Sequence, residues 1–110
     1  MQFIDFTLYN LPMLLTRNKS KEWREQILAR ASVLISFFNE NNLLISIIPF
    51  DDNNVLRDDL VIKRSNVTDE GLELFKSVIP EWSRFLDKGG KLENVSRLEK
   101  GLKKIREARR

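Results

Sequence analysis

The sequence predicts an α+β fold: three main helices packed with a small two- or three-stranded sheet. Three observations carry that expectation. The chain begins with a run rich in aromatic and β-branched residues, "MQFIDFTLYN". Apolar side chains then recur at helical spacing through the segment 23–38. Two further helical series, 72–86 and 95–105, flank the pair Gly89-Gly90.

The elements follow in order. Residues 2–9 read as a strand, because β-branched and aromatic side chains suit a pleated, half-buried surface. Pro12 is placed to open a helical turn through Leu14 and Leu15. Ser20 is a candidate N-cap with Glu22 in the first turn of the long helix. Along that helix Trp23, Ile27, Ala31, Leu34, Ile35 and Phe38 line one face. Val33 and Phe37 widen it, which predicts burial on two sides, and Asn41-Asn42 end it. Leu43–Ile48 is short, apolar and followed by Pro49, as expected of a buried strand, with Leu60–Lys63 as its antiparallel partner. The eleven residues between them exceed a tight hairpin loop, so part of Val55–Asp59 is available to extend the second strand.

Thr68 caps the next helix, with Asp69 and Glu70 where the macrodipole favours carboxylates. Leu72, Phe75, Ile79, Trp82 and Leu86 then run at spacings of 3, 4, 3 and 4 without a slip across Pro80. One helix kinked just before Pro80, from Asp69 to about Lys88, is the expectation. Gly89 and Gly90 stop it. Val95, Leu98, Leu102 and Ile105 predict a last helix, antiparallel to the one before.

Composition narrows function. The 110 residues suit a single domain, 1–110, with one core. The 42% apolar and 32% charged content belongs to a soluble globular chain and is too apolar for disorder. There is no cysteine and no histidine. This removes disulfides, zinc–thiolate sites, thiol nucleophiles and the usual general base near neutral pH. No partnered nucleophile is legible, so the expectation is a protein that is not an enzyme and needs no cofactor. The N-terminus lacks the basic start of a secretory signal, and no apolar run approaches the roughly 20 residues of a membrane span. A cytoplasmic protein, away from membranes and monomeric when free, is therefore expected.

Charge is unevenly distributed. Residues 88–110 hold nine Lys/Arg and three Asp/Glu, whereas residues 1–87 carry a net −3. The pI of about 9.4 thus reflects the C-terminal segment. Within the acidic part, "PFDDNNVLRDD" (49–59) gathers Asp51, Asp52, Asp58 and Asp59. A calcium loop needs acids or amides at positions 1, 3 and 5, glycine at 6 and glutamate at 12. Counted from Asp51, positions 5, 6 and 12 are Val55, Leu56 and Ile62. Counted from Asp52, positions 5 and 6 are Leu56 and Arg57. Neither register fits a calcium loop. A magnesium-dependent nuclease would pair its acids with a lysine on a strand, but Glu73 and Lys76 lie on a helix at the wrong spacing. Two readings remain: a solvated loop, since aspartate and asparagine are common in turns, or an acidic docking surface for a basic partner. In the second, Phe50 supplies apolar area and Asp51, Asp52, Asp58 and Asp59 supply charge. Asp69 and Glu70 extend the acidic set.

The rival signal is basic. Lys100, Lys103, Lys104, Arg106, Arg109 and Arg110 lie along the last helix and suggest phosphate contacts. No aromatic interleaving accompanies them, and Glu99 and Glu107 dilute them. Cations also simply stabilise a helix C-terminus, so nucleic acid is the weaker candidate partner. Trp23 and Trp82, each within an apolar stripe, are expected to anchor the core.

Three stretches, "NKSKEWREQILARASVLISFFNENNLL" (18–44), "DDLVIKRSNVTDEGLELF" (58–75) and "PEWSRFLDKGGKLENVSRLEKGLKKIR" (80–106), together resemble small bacterial immunity proteins of contact-dependent growth inhibition and polymorphic-toxin systems. The resemblance spans about 18–106 and rests on a pattern of helices and turns. It implies a non-catalytic cytoplasmic toxin inhibitor, acting by protein–protein interaction on the cognate toxin domain of its own system. Many such toxins are nucleases with basic clefts, which would give the acidic loop a target. The basic C-terminal segment departs from the acidic character common among these proteins.

Overall fold

A computed structural model of the chain describes residues 5–109. The fold is α+β, with five α-helices and a two-stranded antiparallel sheet among the described residues. The chain forms two compact units, residues 1–67 and 68–110.

In the first unit, β1 (Thr7–Asn10) pairs with β2 (Val61–Lys63) in the register Thr7 to Lys63, Tyr9 to Ile62 and Asn10 to Val61. The register shifts between Thr7 and Tyr9, which leaves Leu8 as the extra residue of a bulge. The predicted strand 2–9 is therefore shorter and displaced; its first three residues lie outside the described residues. Asp5 anchors the approach to β1. Its two carboxylate oxygens accept from the Ser65 N–H at 2.9 Å and the Ser65 hydroxyl at 2.7 Å. These bonds hold the carboxyl below its usual pKa.

Helix α1 (Leu11–Thr16) begins where Pro12 suggested, with Asn10 Oδ1 accepting the Met13 N–H at 3.0 Å. Helix α2 (Lys21–Glu40) is capped by Ser20, whose Oγ accepts the Trp23 N–H at 3.3 Å. The Ser20 hydroxyl also donates to Glu22 at 2.8 Å and draws the Glu22 pKa down. Ala31, Leu34, Ile35, Phe37 and Phe38 are buried, with Leu11, Leu15, Leu43, Leu60, Ile62 and Val67 from the rest of the unit. Trp23 is only half-buried; its indole N–H donates to the Leu14 carbonyl at 3.1 Å and ties α2 to α1.

The expected pairing of 43–48 with 60–63 is not formed: β2 takes β1 as its partner. Residues 43–48 make one rung, Leu44 opposite Val67, and the Ile45 N–H donates to the Asn66 carbonyl at 2.7 Å. Ser46 then enters the left-handed region at φ 52°, which reverses the side-chain alternation a strand needs. Pro49 adds a missing donor. Nor do residues 55–59 extend β2: Leu56 bridges Phe50, and Asp58 and Asp59 lie in a turn.

In the second unit Thr68 caps α3 (Asp69–Ser77), its Oγ1 accepting the Gly71 N–H at 3.1 Å. The single kinked helix is instead two helices, α3 and α4 (Ile79–Asp87), meeting at Val78. Pro80 stands in the first turn of α4, where its missing N–H costs nothing. The buried stripe runs Gly71, Leu74, Val78, Trp82 and Leu86, while Leu72, Phe75 and Ile79 of the predicted series are half-buried. Helix α4 closes with a Schellman motif: the Gly89 N–H donates to the Leu86 carbonyl and the Gly90 N–H to the Phe85 carbonyl, both at 3.0 Å. Gly89 sits at φ 94°, which glycine adopts without strain.

Helix α5 (Ser96–Ala108) buries Leu98 and Leu102. Arg97 meets Phe85, Gly101 meets Val78 and Arg106 meets Glu70. Numbers rise along α5 as they fall along α4 and α3, so α5 is antiparallel to both. Trp82 is buried, as expected of a core anchor.

Candidate functional site: the acidic turn 49–59

The segment 49–59 has a defined backbone. Phe50 and Leu56 form a bridge, flanked by the Arg57 N–H to Pro49 carbonyl bond and the Asp51 N–H to Val55 carbonyl bond, each 2.9 Å. Between them Asp51–Asn54 is a four-residue turn, closed by the Asn54 N–H donating to the Asp51 carbonyl at 2.9 Å. Asn54 follows in the left-handed region at φ 62°, a conformation asparagine tolerates. A second turn, Arg57–Leu60, carries Asp58 and Asp59 and is closed by the Leu60 N–H donating to the Arg57 carbonyl at 3.3 Å. Leu60 is buried and holds the far end.

The four aspartates are all exposed, but they are not equivalent. Asp51 Oδ1 accepts from the N–H groups of Asn53 at 2.9 Å and Val55 at 3.0 Å, so this carboxylate builds the turn. Asp59 lies 3.6 Å from the Arg57 guanidinium. With both side chains largely in water, that pair adds little to stability.

Beside the acids stand apolar side chains that patterning had placed in strands. Ile48 is 73% exposed and Val55 58% exposed. Phe50 is half-buried; it borders a hollow of about 250 Å³ with Asn54 and with Ser32, Ser36, Asn39 and Glu40 of α2. A second, more open depression of about 410 Å³ is lined by Ile47, Ile48, Arg57, Asp59 and Val61. Ile48 and Val55 escaped the sequence reading because a residue's face in an irregular segment follows from turn geometry, not from a period. The only local signals were Pro49 and the Asn-rich turn.

Asp69 and Glu70 belong to the other compact unit. Glu70 is already engaged by the Arg106 side chain at 3.2 Å. No group of three or more acidic side chains capable of holding a metal occurs among the described residues. No helix among them is long and apolar enough to cross a membrane.

The chain matches no protein-family model, no curated protein and no solved structure.

Proposed function

We propose that this protein is a non-catalytic immunity protein that binds and neutralises a cognate bacterial toxin domain. The observation that carries the reading is the turn 49–59, which sets exposed carboxylates on a hydrogen-bonded backbone that also carries exposed Val55 and adjoins exposed Ile48. Exposed apolar side chains give a partner area to bury, and the acids select one of complementary charge. A pre-shaped turn also lowers the ordering cost of association. The resemblance of 18–106 to immunity proteins supports the same direction. Nucleic acid along α5 is the lesser reading, since Arg106 pairs with Glu70 and Glu99 and Glu107 interrupt the cations.

The test takes as its probe the C-terminal domain of any large secreted protein that a neighbouring gene encodes. Binding kinetics and protection of cells are compared for wild type and the triple variant Asp52→Lys/Asp58→Lys/Asp59→Lys, which spares the turn-building Asp51. The expected result is weaker binding and lost protection, with the association rate falling most. Wild-type affinity and protection in the triple variant would remove the turn from the interface. Hydrolase or transferase activity that vanished in Asp58→Asn or Asp59→Asn would remove the non-catalytic reading.

A further inference from the structure

A depression of about 570 Å³ at the C-terminal end of α4 is lined by Glu81, Arg84, Phe85, Lys88, Gly89, Gly90 and Arg97. Arg84 and Lys88 come from α4 and its cap, four residues apart on one face. Arg97 arrives from the first turn of α5. Its guanidinium carbon lies 4.6 Å from the centroid of the Phe85 ring. Gly90 packs against the same ring so closely that a Cβ there would lie inside van der Waals contact. Phe85 is thus held by Gly90, and it in turn holds Arg97.

Two features separate this arrangement from a helix end dressed with cations. The carbonyls of Arg84, Phe85 and Leu86 already accept from the N–H groups of Lys88, Gly89 and Gly90 at 3.0–3.1 Å, so they do not compete for the side chains. Among the described residues, Arg84, Lys88 and Arg97 make no ion pair. Three uncompensated cations drawn from two helices therefore border one hollow, with Glu81 as the lone acid. The lining carries a net +2, the charge complement of a phosphomonoester dianion. A guanidinium held over a ring by its central carbon still has N–H groups to offer phosphate oxygens. The volume falls within the range of small-ligand sites.

We propose that this hollow binds the phosphate group of a small phosphomonoester, with Arg97 as the oriented donor and Arg84 and Lys88 as flanking charges. The site lies outside the acidic turn and does not rest on the toxin-inhibitor reading. Titration of the whole protein with adenosine monophosphate, followed by backbone amide chemical shifts at about 0.15 M salt, tests it. Adenosine serves as the uncharged control and inorganic phosphate as the unesterified one. Shifts centred on residues 84–97, saturable with adenosine monophosphate and absent with adenosine, are expected. Arg97→Ala should weaken binding at least about tenfold, the loss expected for a hydrogen bond to a charged group. Arg97→Lys, which keeps charge but not the planar fork, should fall between. Lys100→Ala, outside the hollow, should bind as wild type. Saturation by inorganic phosphate with no gain from the ester would overturn the ester and leave a free-phosphate site. Shifts spread equally over Lys100, Lys103 and Lys104, or an unchanged Arg97→Ala, would overturn the site altogether.

Discussion

At the scale of single residues, Asp51 and Tyr9 show how surroundings assign a side chain its job. Asp51 is exposed like its three neighbours, yet its Oδ1 satisfies two backbone donors in the turn. Asparagine retains that acceptor and alanine does not. Asp51→Asn is expected to leave stability to urea unchanged, whereas Asp51→Ala should lose about 1 kcal/mol, as when a capping side chain is removed. Asp52→Ala, which strips no such bond, should stay within about 0.5 kcal/mol. Equal stabilities for the two Asp51 variants would show that the bonds contribute nothing. Tyr9, the one tyrosine of the chain, is moved by burial, which pushes its phenol up to about 12. The neutral phenol is favoured in the folded state, so the unfolded chain ionises first, near pH 10. The stability Tyr9 contributes is complete below pH 10 and is lost as pH rises from 10 through 12. Tyrosinate absorbance should titrate near 12 in the folded protein and near 10 in denaturant; a folded-state midpoint near 10 would contradict the burial.

At the scale of elements, α5 is seated against α3 and α4 through Gly101. A Cβ at that position would lie 2.5 Å from Val78 Cγ2 and 2.7 Å from Cγ1. Val78 stands where α3 meets α4, and its β-branched side chain has few rotamers to retreat into. Gly101→Ala should therefore destabilise by about 1–3 kcal/mol, although alanine is the better helix former. Val78→Ala, tested in the same background, should recover most of that loss. Additive costs in this double-mutant cycle would mean that the two positions do not press on each other. The helix ends were legible because their signals are local: Ser20, Thr68 and the Gly89-Gly90 pair act within one turn of chain. The break at Val78 was hidden because an apolar period continues equally well through one kinked helix or two helices in line.

At the scale of the whole molecule, charge and its distribution pull in opposite directions. The chain carries +3 in total, while residues 49–59 carry −3 and the remainder +6. A basic toxin domain would meet repulsion from afar and attraction close in. The screening length is about 30 Å at 0.01 M salt and about 8 Å at 0.15 M. Under the proposed function, added salt should first raise the association rate by screening the net positive charge of the chain, then lower it as the turn itself is screened. Stopped-flow association from about 0.01 to 1 M salt should pass through a maximum. A monotonic fall would mean that long-range attraction dominates and that the acidic turn is not acting against a basic remainder.

The sequence by itself determined the α+β class, the long helix α2 with its caps, the amphipathic α5, and the presence of a polar acidic turn between apolar runs. Each follows from interactions spanning a few residues, where side-chain type and spacing decide the outcome. Only the tertiary structure decided that β2 pairs with β1 and not with 43–48, because strand pairing joins distant segments and several apolar runs are chemically acceptable partners. It also decided that Asp51 supports the turn while Asp52 and Asp58 face solvent without that duty, since backbone donors are aimed by φ and ψ. And it gathered Arg84, Lys88 and Arg97 around Phe85. Their fourteen-residue span is unremarkable along the chain, but the glycine-closed end of α4 and the antiparallel return of α5 place their charges around one hollow.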